Sequence, residues 1–295
     1  MKRYGAISII GEPNVGKSTL INALVGEKVS AVTHKAQTTR ARSYGLMSSE
    51  EDQVLIVDTP GFNKRPGGLN HFLHEEILSS VHGVDVVVGL LSFSSAKEEK
   101  ILPTLNLLES LSNPYVLLVN KFDQQNEASA RFWSEFEKNH KNLEYISALK
   151  NPVGVKTKLL RLIEPYLHAV DEHPYGQDEY TLNPLKMMAS ELIRETCMEW
   201  LHKEIPYELA VRVLRLEDKK SLTAIDAQIL VTLERHRPIV LGRGGQMIKK
   251  IGTQSRKKIE ALVGRKLLLN LQVKVEPNWF LDERTRREVG FGSIV

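Results

Sequence analysis

One stretch of eight residues constrains this chain more than any other. Residues Gly11–Ser18 read Gly-Glu-Pro-Asn-Val-Gly-Lys-Ser and fit the pattern G-x-x-x-x-G-K-[ST]. An apolar run, Ala6–Ile10, precedes them as a buried strand would, and Lys17–Val25 follows with apolar residues at helical spacing. A glycine-containing loop between a strand and a helix can curl so that its N–H groups surround a phosphate, and the helix N-terminus adds partial positive charge.

Two side chains of this loop have the chemistry that a phosphate site needs. Lys17 is expected to reach the β- and γ-phosphates of a nucleotide, and the Ser18 hydroxyl is expected to ligate Mg²⁺. The sequence therefore predicts a nucleotide site at the start of the chain.

Composition is that of a globular protein long enough for two domains. The chain has 295 residues, of which 42% are hydrophobic and 26% charged. No apolar run approaches the ~20 residues of a membrane-spanning helix. Met1–Tyr4 leads directly into the first strand, so we expect no signal peptide. The single cysteine, Cys197, fits a reducing compartment and is interpreted as a small buried apolar residue.

Charge divides the chain unevenly. Residues 185–295 carry 21 Lys and Arg against 14 Asp and Glu, whereas residues 1–184 carry 19 against 22. This asymmetry predicts different partners for the two parts, with nucleic acid or an anionic membrane surface as candidates for the basic part.

A second phosphate-side motif follows another buried strand. Val54–Val57 ends in Asp58-Thr59-Pro60-Gly61, and the carboxyl ends of strands are where a doubly wound sheet binds ligand. Asp58 can hold a water of Mg²⁺, and Gly61 can offer an N–H to the γ-phosphate. In the polar stretch 27–42, Thr39 or its neighbour Thr38 can complete the Mg²⁺ coordination while a γ-phosphate is present.

The base end of the site is predicted from Tyr115–Val119, a strand that ends in Asn120-Lys121-Phe122-Asp123. Asp123 can accept hydrogen bonds from N1–H and the 2-amino group of guanine, which adenine does not offer in that arrangement. Asn120 would brace the loop and the stem of Lys121 would cover the base. Further along the chain, Ser147-Ala148-Leu149 can present the Ala148 N–H to the guanine O6.

These five ordered motifs resemble those of a small GTPase domain, and Glu12–Val15 and Gln37–Arg40 resemble specifically the bacterial TrmE–Era family. The resemblance implies an α/β fold with a mostly parallel, doubly wound sheet, and GTP binding with slow hydrolysis to GDP and phosphate. The residues expected to bind nucleotide are Gly11, Glu12, Pro13, Asn14, Val15, Gly16, Lys17, Ser18, Thr19, Asp58, Thr59, Pro60, Gly61, Asn120, Lys121, Asp123, Ser147, Ala148 and Leu149. Those expected to act in hydrolysis are Asn14, Lys17, Thr39 and Gly61, and those expected at the metal are Ser18, Thr39 and Asp58.

The chain departs from the Ras pattern at Phe62, where Ras-like proteins carry a catalytic glutamine. An apolar side chain cannot orient the attacking water, so hydrolysis is either slow or assisted by another positive charge. Asn14 resembles the residue that helps to hold K⁺ in this family, and we expect K⁺-stimulated hydrolysis. A smaller departure is Leu91-Ser92-Phe93, where relatives often carry an aspartate.

The pattern changes after residue 170. We predict a GTPase domain at residues 1–170, a linker at 171–184 and a second domain at 185–295. Residues 185–203 are predicted as a helix and 208–216 as a strand, and 221–233 as another strand followed by a more apolar one. A helix interrupted near Gly252 and a closing strand at 267–275 complete the domain.

A glycine-rich turn in the second domain is the candidate RNA-binding element. Gly242-Arg243-Gly244-Gly245 lets a nucleic-acid backbone approach the main chain, and the residues that follow are strongly basic. The order helix, strands, G-x-x-G, helix, strand resembles an α+β KH domain of type II, which binds single-stranded RNA. The predicted RNA contacts are Gly242, Arg243, Gly244, Gly245, Lys249, Lys250, Arg256 and Lys257.

A GTPase domain followed by a KH domain resembles the Era type of this family over essentially the whole chain. That resemblance implies a monomeric ribosome-assembly factor that binds the small ribosomal subunit and the 3′ end of 16S rRNA in the cytoplasm, with peripheral membrane association. Two alternatives stay open from the residues alone: a metabolic P-loop kinase or ATPase, and a nucleotide-independent module that binds membranes or proteins.

Overall fold

The computed structural model describes residues 1–33, 35, 42–61, 69–219 and 222–292. The chain forms two compact units: residues 1–30 with 42–182, and residues 31–41 with 183–295. Each unit contains its own hydrophobic core. Among the described residues, no helix has the length and apolar character needed to cross a bilayer.

The first unit alternates strands and helices. Its elements are β1 (Lys2–Ile10), α1 (Lys17–Val25), β2 (Ser43–Ser48), β3 (Asp52–Asp58), α2 (Leu69–Ser80), β4 (Val86–Ser92), α3 (Glu98–Ser110), β5 (Tyr115–Asn120), α4 (Glu127–Asn139), β6 (Leu143–Tyr145), α5 (Pro152–Ile163) and β7 (His168–Val170). The apolar runs at the centre become strands buried on both faces, because helices cover a parallel sheet on each side.

The sheet of the first unit has the order β2-β3-β1-β4-β5-β6, with β7 paired to the first residues of β1. β1 runs parallel to β3 on one side and to β4 on the other, and β2 is antiparallel to β3. The chain therefore leaves β1 at a topological switch point, the position where sheets of this class bind ligands at the carboxyl ends of their strands. This is the α/β fold that the sequence predicts.

Much of the stretch predicted as a linker packs along the edge of this sheet. The Gln53 side chain donates to the Tyr175 carbonyl at 2.9 Å and accepts from the Tyr175 N–H at 3.0 Å. The Leu46 N–H donates to the Tyr180 carbonyl at 2.9 Å, and Thr181 forms a β-bridge with Gly45. The Pro- and Gly-containing composition of residues 171–184 thus marks irregular backbone, which here is hydrogen-bonded to β2 and β3.

The second unit has a three-stranded sheet with helices packed on one face. Its elements are α6 (Leu185–Trp200), α7 (Ile205–Glu208), β8 (Ala210–Asp218), β9 (Leu222–Val231), α8 (Arg237–Leu241), α9 (Gln246–Val263), β10 (Lys266–Val275) and α10 (Glu283–Glu288). The sheet order is β10-β9-β8, with β9 parallel to β10 and antiparallel to β8. Cys197 is buried in this core, and burial raises the pKa of its thiol to about 12.

Two predictions about the second unit are wrong in detail. Residues 222–231 form one continuous strand and not two, because Thr223, Ile225 and Ala227 keep the same inward-facing alternation as the apolar residues that follow. The helix α9 passes through Gly252 without interruption. A Cβ atom at Gly252 would lie 3.5 Å from Leu271 Cδ1, so the glycine leaves space between the helix and β10 without breaking the helix.

Candidate nucleotide site and candidate RNA groove

The loop between β1 and α1 has the glycine geometry of a phosphate loop. Gly16 has φ +103° and a Cβ atom there would lie 2.4 Å from Asn120 Nδ2, so only glycine fits. Gly11 is equally restricted, because its Cβ would lie 2.3 Å from the Leu90 carbonyl oxygen of β4. Asn14 also has a positive φ, of 63°. The loop therefore curls tightly against the sheet before α1 begins at Lys17.

Lys17 is buried at the centre of this loop. Its Nζ donates to the carbonyl oxygens of Gly11 at 2.8 Å and Glu12 at 2.9 Å. Burial lowers the pKa of the Lys17 ammonium from 10.5 to about 8, although the carboxylates of Asp58 and Glu12 act in the opposite direction. An anionic phosphate at this place would offset the desolvation of the ammonium, which is the role predicted for Lys17.

The end of β3 lies beside the phosphate loop, as the sequence predicts. Asp58 is fully buried, and Ser18 Oγ lies 3.4 Å from Asp58 Oδ2. The buried Thr59 hydroxyl, just after β3, donates to the Ile9 carbonyl of β1 at 2.7 Å and so links the ends of the two strands. A Cβ atom at Gly61 would lie 3.0 Å from Pro13 Cα, so glycine permits the close approach of the two loops. Pro60 is buried and Thr19 is partly exposed in the first turn of α1.

Hydroxyl and carboxylate oxygens at this end of the site fit a Mg²⁺ ion, which prefers hard oxygen ligands. Ser18 and Asp58 supply both types of oxygen 3.4 Å apart. Thr38 and Thr39, the candidates for a further ligand, and Phe62, the residue at the glutamine position, lie outside the described residues.

Asn120, at the end of β5, joins three loops of the predicted site. Its Nδ2 donates to the Val15 carbonyl of the phosphate loop at 2.9 Å, and its Oδ1 accepts from the Ala148 N–H at 3.0 Å. The predicted bracing role of Asn120 thus has a geometric basis. The Ala148 N–H, which we expect to contact the guanine O6, would have to share or exchange this bond when a base binds.

Lys121 makes a second connection to the phosphate loop. Its backbone lies in the left-handed region with φ 64°, and its Nζ donates to the Asn14 carbonyl at 2.7 Å. Burial lowers the pKa of Lys121, and Asp123 acts in the opposite direction. We call Asn120–Asp123 the base loop. The side chain of Lys121 therefore extends from the base loop to the phosphate loop, where its stem can cover one face of a base.

Asp123 and Ser147 form two hydrogen bonds with each other at the predicted base end of the site. The Asp123 N–H donates to Ser147 Oγ at 3.1 Å, and the Ser147 hydroxyl donates in return to Asp123 Oδ1. Leu149, next to this pair, is 75% exposed. Together with the contacts of Asn120 and Lys121 to the phosphate loop, more than 100 residues away in sequence, this pair completes one candidate site with the phosphate loop at one end and Asp123 at the other.

The second unit presents its glycine turn at the surface. Gly242, Gly244 and Gly245 have φ values of 73°, 58° and 77°. A Cβ atom at Gly242 would lie 2.6 Å from Met247 Cβ, whereas a Cβ atom at Gly244 or Gly245 would meet no atom of the described residues within 4 Å. The turn thus exposes its main chain at the N-terminus of α9, and Arg243 beside it is exposed.

An open groove of about 320 Å³ lies between α9 and the edge strand β10. Lys249 and Arg256 supply its cationic side chains, while its apolar lining was not singled out from the sequence. The lining residues are Ile248, Lys249, Gly252, Thr253, Arg256, Leu267, Leu268, Leu269 and Leu271. Leu268 is 62% exposed, and the alternation along β10 was the signal that could have revealed it.

The four basic residues predicted on α9 divide into two pairs. Lys249 and Arg256 line the groove, whereas Lys250 and Lys257 do not. Lys250 Nζ lies 3.2 Å from the centre of the Trp200 ring, so Lys250 packs against α6 in a cation–π contact. Lys257 is exposed. Only one pair of these charges is therefore placed to meet a ligand in the groove.

Comparison with known families and structures agrees with this geometry. A family described as "50S ribosome-binding GTPase" matches residues 6–121, and a KH domain family matches residues 204–280. A structure of a variant of Aquifex aeolicus Era bound to GDP·AlF₄⁻ is similar to 99% of this chain and 100% of that one, with TM-score 0.89 and 31% identity. A structure of Era in complex with MgGDPNP and nucleotides 1506–1542 of 16S ribosomal RNA is similar over the same shares, with TM-score 0.88 and 31% identity.

The phosphate loop, the Asn-Lys-Phe-Asp loop and the appended KH unit define a P-loop GTPase with a C-terminal KH domain. Over 97% of both chains, the sequence is 36% identical to the GTPase Era of Stenotrophomonas maltophilia. It is also 36% identical to the GTPase Era of Neisseria meningitidis, over 98% of this chain and 94% of that one. The chain belongs to the Era family of GTPases.

Proposed function

We propose that this chain binds and slowly hydrolyses GTP, and that it binds 16S rRNA through its second unit as a factor in assembly of the small ribosomal subunit. The observation that carries the proposal is the convergence of Gly11–Ser18, Asp58–Gly61, Asn120–Asp123 and Ser147–Leu149 on one end of the sheet. In this proposal these segments contact the phosphate end and the base end of a guanine nucleotide. Purified protein that bound ATP as tightly as GTP would contradict it.

In the proposed complex, different residues contact the phosphates and the Mg²⁺ ion. The phosphate-loop N–H groups and Lys17 would hold the phosphates, and the Gly61 N–H would approach the γ-phosphate. Ser18, Asp58 and Thr39 or Thr38 would hold Mg²⁺, which neutralises charge on the phosphate oxygens during transfer of the phosphoryl group to water. The related Era structure with MgGDPNP favours Mg²⁺ and a guanine nucleotide as the ligands.

K⁺ stimulation of hydrolysis rests on Asn14. This residue is exposed, has φ 63°, and lies in the loop that would surround the phosphates. A monovalent cation held there could supply positive charge that the apolar Phe62 cannot. We expect faster GTP hydrolysis in K⁺ than in Na⁺, and loss of that difference in Asn14→Ala. Equal rates in the two salts, or a K⁺ effect that survives the substitution, would exclude this role.

The groove of the second unit supports single-stranded RNA as the ligand. It combines an exposed glycine turn, the cationic side chains of Lys249 and Arg256, and an apolar lining against which bases can stack. The Era structure with a 16S rRNA fragment favours the small subunit. The description naming the 50S subunit belongs to a family that matches residues 6–121 only. Sequencing of RNA crosslinked to the protein in cells distinguishes 16S from other RNA.

Nucleotide state is proposed to control RNA binding. Lys35 lies in the polar stretch 27–42, which is expected to respond to the γ-phosphate. Lys35 Nζ donates to the carbonyl oxygens of Met198 and Leu201 at the end of α6. A change in this stretch on hydrolysis would therefore alter contacts of α6.

The test of this control compares RNA affinity with a non-hydrolysable GTP analogue and with GDP, in the wild type and in Lys35→Ala. We expect a difference between the two nucleotides in the wild type and a smaller one in the variant. Equal RNA affinity with both nucleotides would exclude the switch. The domain boundaries, the monomeric state, the cytoplasmic location and the peripheral membrane association stay predictions.

A further inference from the structure

Three aromatic rings, one of which belongs to the base loop, pack against one another. Phe122, between Lys121 and Asp123, contacts Phe93 edge-on with ring centroids 5.2 Å apart, and contacts Tyr145 with centroids 5.4 Å apart. Phe93 and Tyr145 contact each other at 5.9 Å. Each of the three rings therefore touches the other two, and one of them belongs to the loop that carries Asp123.

The other two rings are fixed to the core of the first unit. Phe93 is 2% exposed and packs on Trp133, which is 1% exposed, with ring centroids 6.0 Å apart. Trp133 Nε1 donates to the Phe93 carbonyl at 3.0 Å, and the Tyr145 hydroxyl donates to the Trp133 carbonyl at 3.2 Å. Packing and hydrogen bonds fix these rings in place, and the ring of Phe122 packs against them.

Phe122 adds side-chain packing to the polar tethers of the base loop. The Phe122 N–H donates to the Ile146 carbonyl at 3.1 Å, and the adjacent Asp123 N–H donates to Ser147 Oγ at 3.1 Å. Hydrogen bonds weaken steeply when donor and acceptor are misaligned. Because Phe122 and Asp123 are adjacent in the chain, a displacement of the Phe122 ring would shift the backbone that carries the Asp123 carboxylate.

We propose that Phe122, seated on Phe93 and Tyr145, is a positioning residue that sets the Asp123 carboxylate for the 2-amino group and N1–H of guanine. This inference depends on the proposed role of Asp123 in guanine binding. It adds a determinant of base selectivity that acts through Asp123 without contacting the nucleotide. It also gives a function to Phe93, which belongs to the stretch Leu91-Ser92-Phe93 where relatives often carry an aspartate.

The experiment measures GDP and IDP affinities of the full-length wild type, Phe122→Ala and Phe132→Ala. IDP lacks the 2-amino group, and one hydrogen bond to a charged acceptor corresponds to roughly a tenfold to hundredfold preference for GDP. We expect Phe122→Ala to lower the wild-type GDP:IDP preference by about fivefold or more, because the bond from the 2-amino group to Asp123, which IDP cannot form, loses alignment. Phe132→Ala is the matched control, since this ring packs on Trp133 and Phe136 on the far side of the cluster.

Two further variants separate positioning from general loss of structure. Phe122→Tyr keeps the ring and should keep the GDP:IDP preference. In an Asp123→Ala background, Phe122→Ala should cause little further loss of GDP affinity, because the effect passes through the carboxylate. A purely structural defect would weaken GDP and IDP equally and would add to Asp123→Ala.

The outcomes are distinguishable. A wild type that binds GDP and IDP equally would overturn the proposed role of Asp123 and this inference with it. A wild type that prefers GDP, together with Phe122→Ala at an unchanged preference, would overturn the positioning role alone. Equal falls in preference for Phe122→Ala and Phe132→Ala would also overturn it, because the effect would then come from the aromatic cluster as a whole.

Discussion

The two candidate sites are built in opposite ways. The nucleotide site collects residues from distant segments and fixes them by buried contacts, such as the bond from Asn120 Nδ2 to the Val15 carbonyl and the burial of Lys17. The RNA groove draws its charges from a single helix, α9, and these charges are exposed. One site depends on assembled geometry, the other on local surface charge.

This difference predicts how each site responds to change. In a preorganised site, removal of one polar group leaves its buried partners unsatisfied, so single substitutions have large and specific effects. At an exposed cationic groove, each side chain contributes a modest share that salt screens. Substitutions in the first unit should therefore change ligand identity, whereas those in the second should change affinity and its salt dependence.

The largest effect is expected for Asp123→Asn. The amide can no longer accept from both guanine donors, so GDP affinity should fall roughly a hundredfold or more, while xanthosine diphosphate, which presents an acceptor in place of the 2-amino donor, should gain. The measurement is the affinity of wild type and variant for both nucleotides. If the variant bound xanthosine diphosphate no better than the wild type, Asp123 would not contact the base. The expectation that substitutions in the first unit change ligand identity would then be wrong.

The phosphate loop, the strand-end motifs and the alternation of strands and helices could be predicted from sequence because each depends on short-range spacing. Asn120 was assigned a bracing role, but its partner, the Val15 carbonyl, is 105 positions away and becomes visible only in the folded sheet. Phe122 was not singled out, since its partners lie after β4 and in β6. Long-range packing of this kind leaves no local periodic signal.

The basic residues of α9 show the same limit in the second unit. Helical spacing places Lys249 with Arg256 and Lys250 with Lys257, since each pair is seven residues apart. Which pair borders the groove depends on how α9 rotates against β10 and α6, and the sequence does not contain that rotation. The cation–π contact of Lys250 with Trp200 resolves it. The continuity of β9 is likewise not visible in the sequence, because its first half is more polar than its second.

A pH dependence of nucleotide binding is the next largest effect. Because the pKa of Lys17 is lowered by burial to about 8, the empty site loses this proton as the pH rises through 8. Phosphate favours the ammonium, so GDP affinity should fall about tenfold between pH 7 and 9, with uptake of close to one proton on binding at pH 9. Calorimetry in buffers of different ionisation enthalpy measures this uptake.

The control for that prediction is Lys17→Arg, whose guanidinium stays charged across this range. At pH 9 the variant should take up close to one proton less than the wild type on binding, whatever its absolute affinity. An uptake in the variant equal to that of the wild type would assign the titration to another group, and a wild type with constant GDP affinity from pH 7 to 9 would show that Lys17 keeps its proton in the empty site.

A smaller effect tests the groove with two neighbouring charges. Arg256→Ala should weaken binding of single-stranded RNA about threefold to tenfold at low salt and reduce the slope of log affinity against log salt by about 0.7. Lys257→Ala removes the same charge one position along, outside the groove lining, and should change both quantities much less. Equal effects of the two substitutions would mean that RNA responds to overall charge and not to the groove.

The smallest effect separates stability from binding on the same helix. Lys250 lies over the Trp200 ring at 3.2 Å, so Lys250→Ala should destabilise the second unit by about 0.5–1 kcal/mol, the usual range for an exposed cation–π contact. Chemical denaturation followed by tryptophan fluorescence measures the change, with Lys257→Ala as the exposed control. RNA affinity should stay within about twofold of the wild type if Lys250 makes no phosphate contact. A loss of RNA affinity as large as that of Arg256→Ala, without loss of stability, would mean that the RNA crosses α9 on the side of Trp200 and that both pairs of charges form one extended surface.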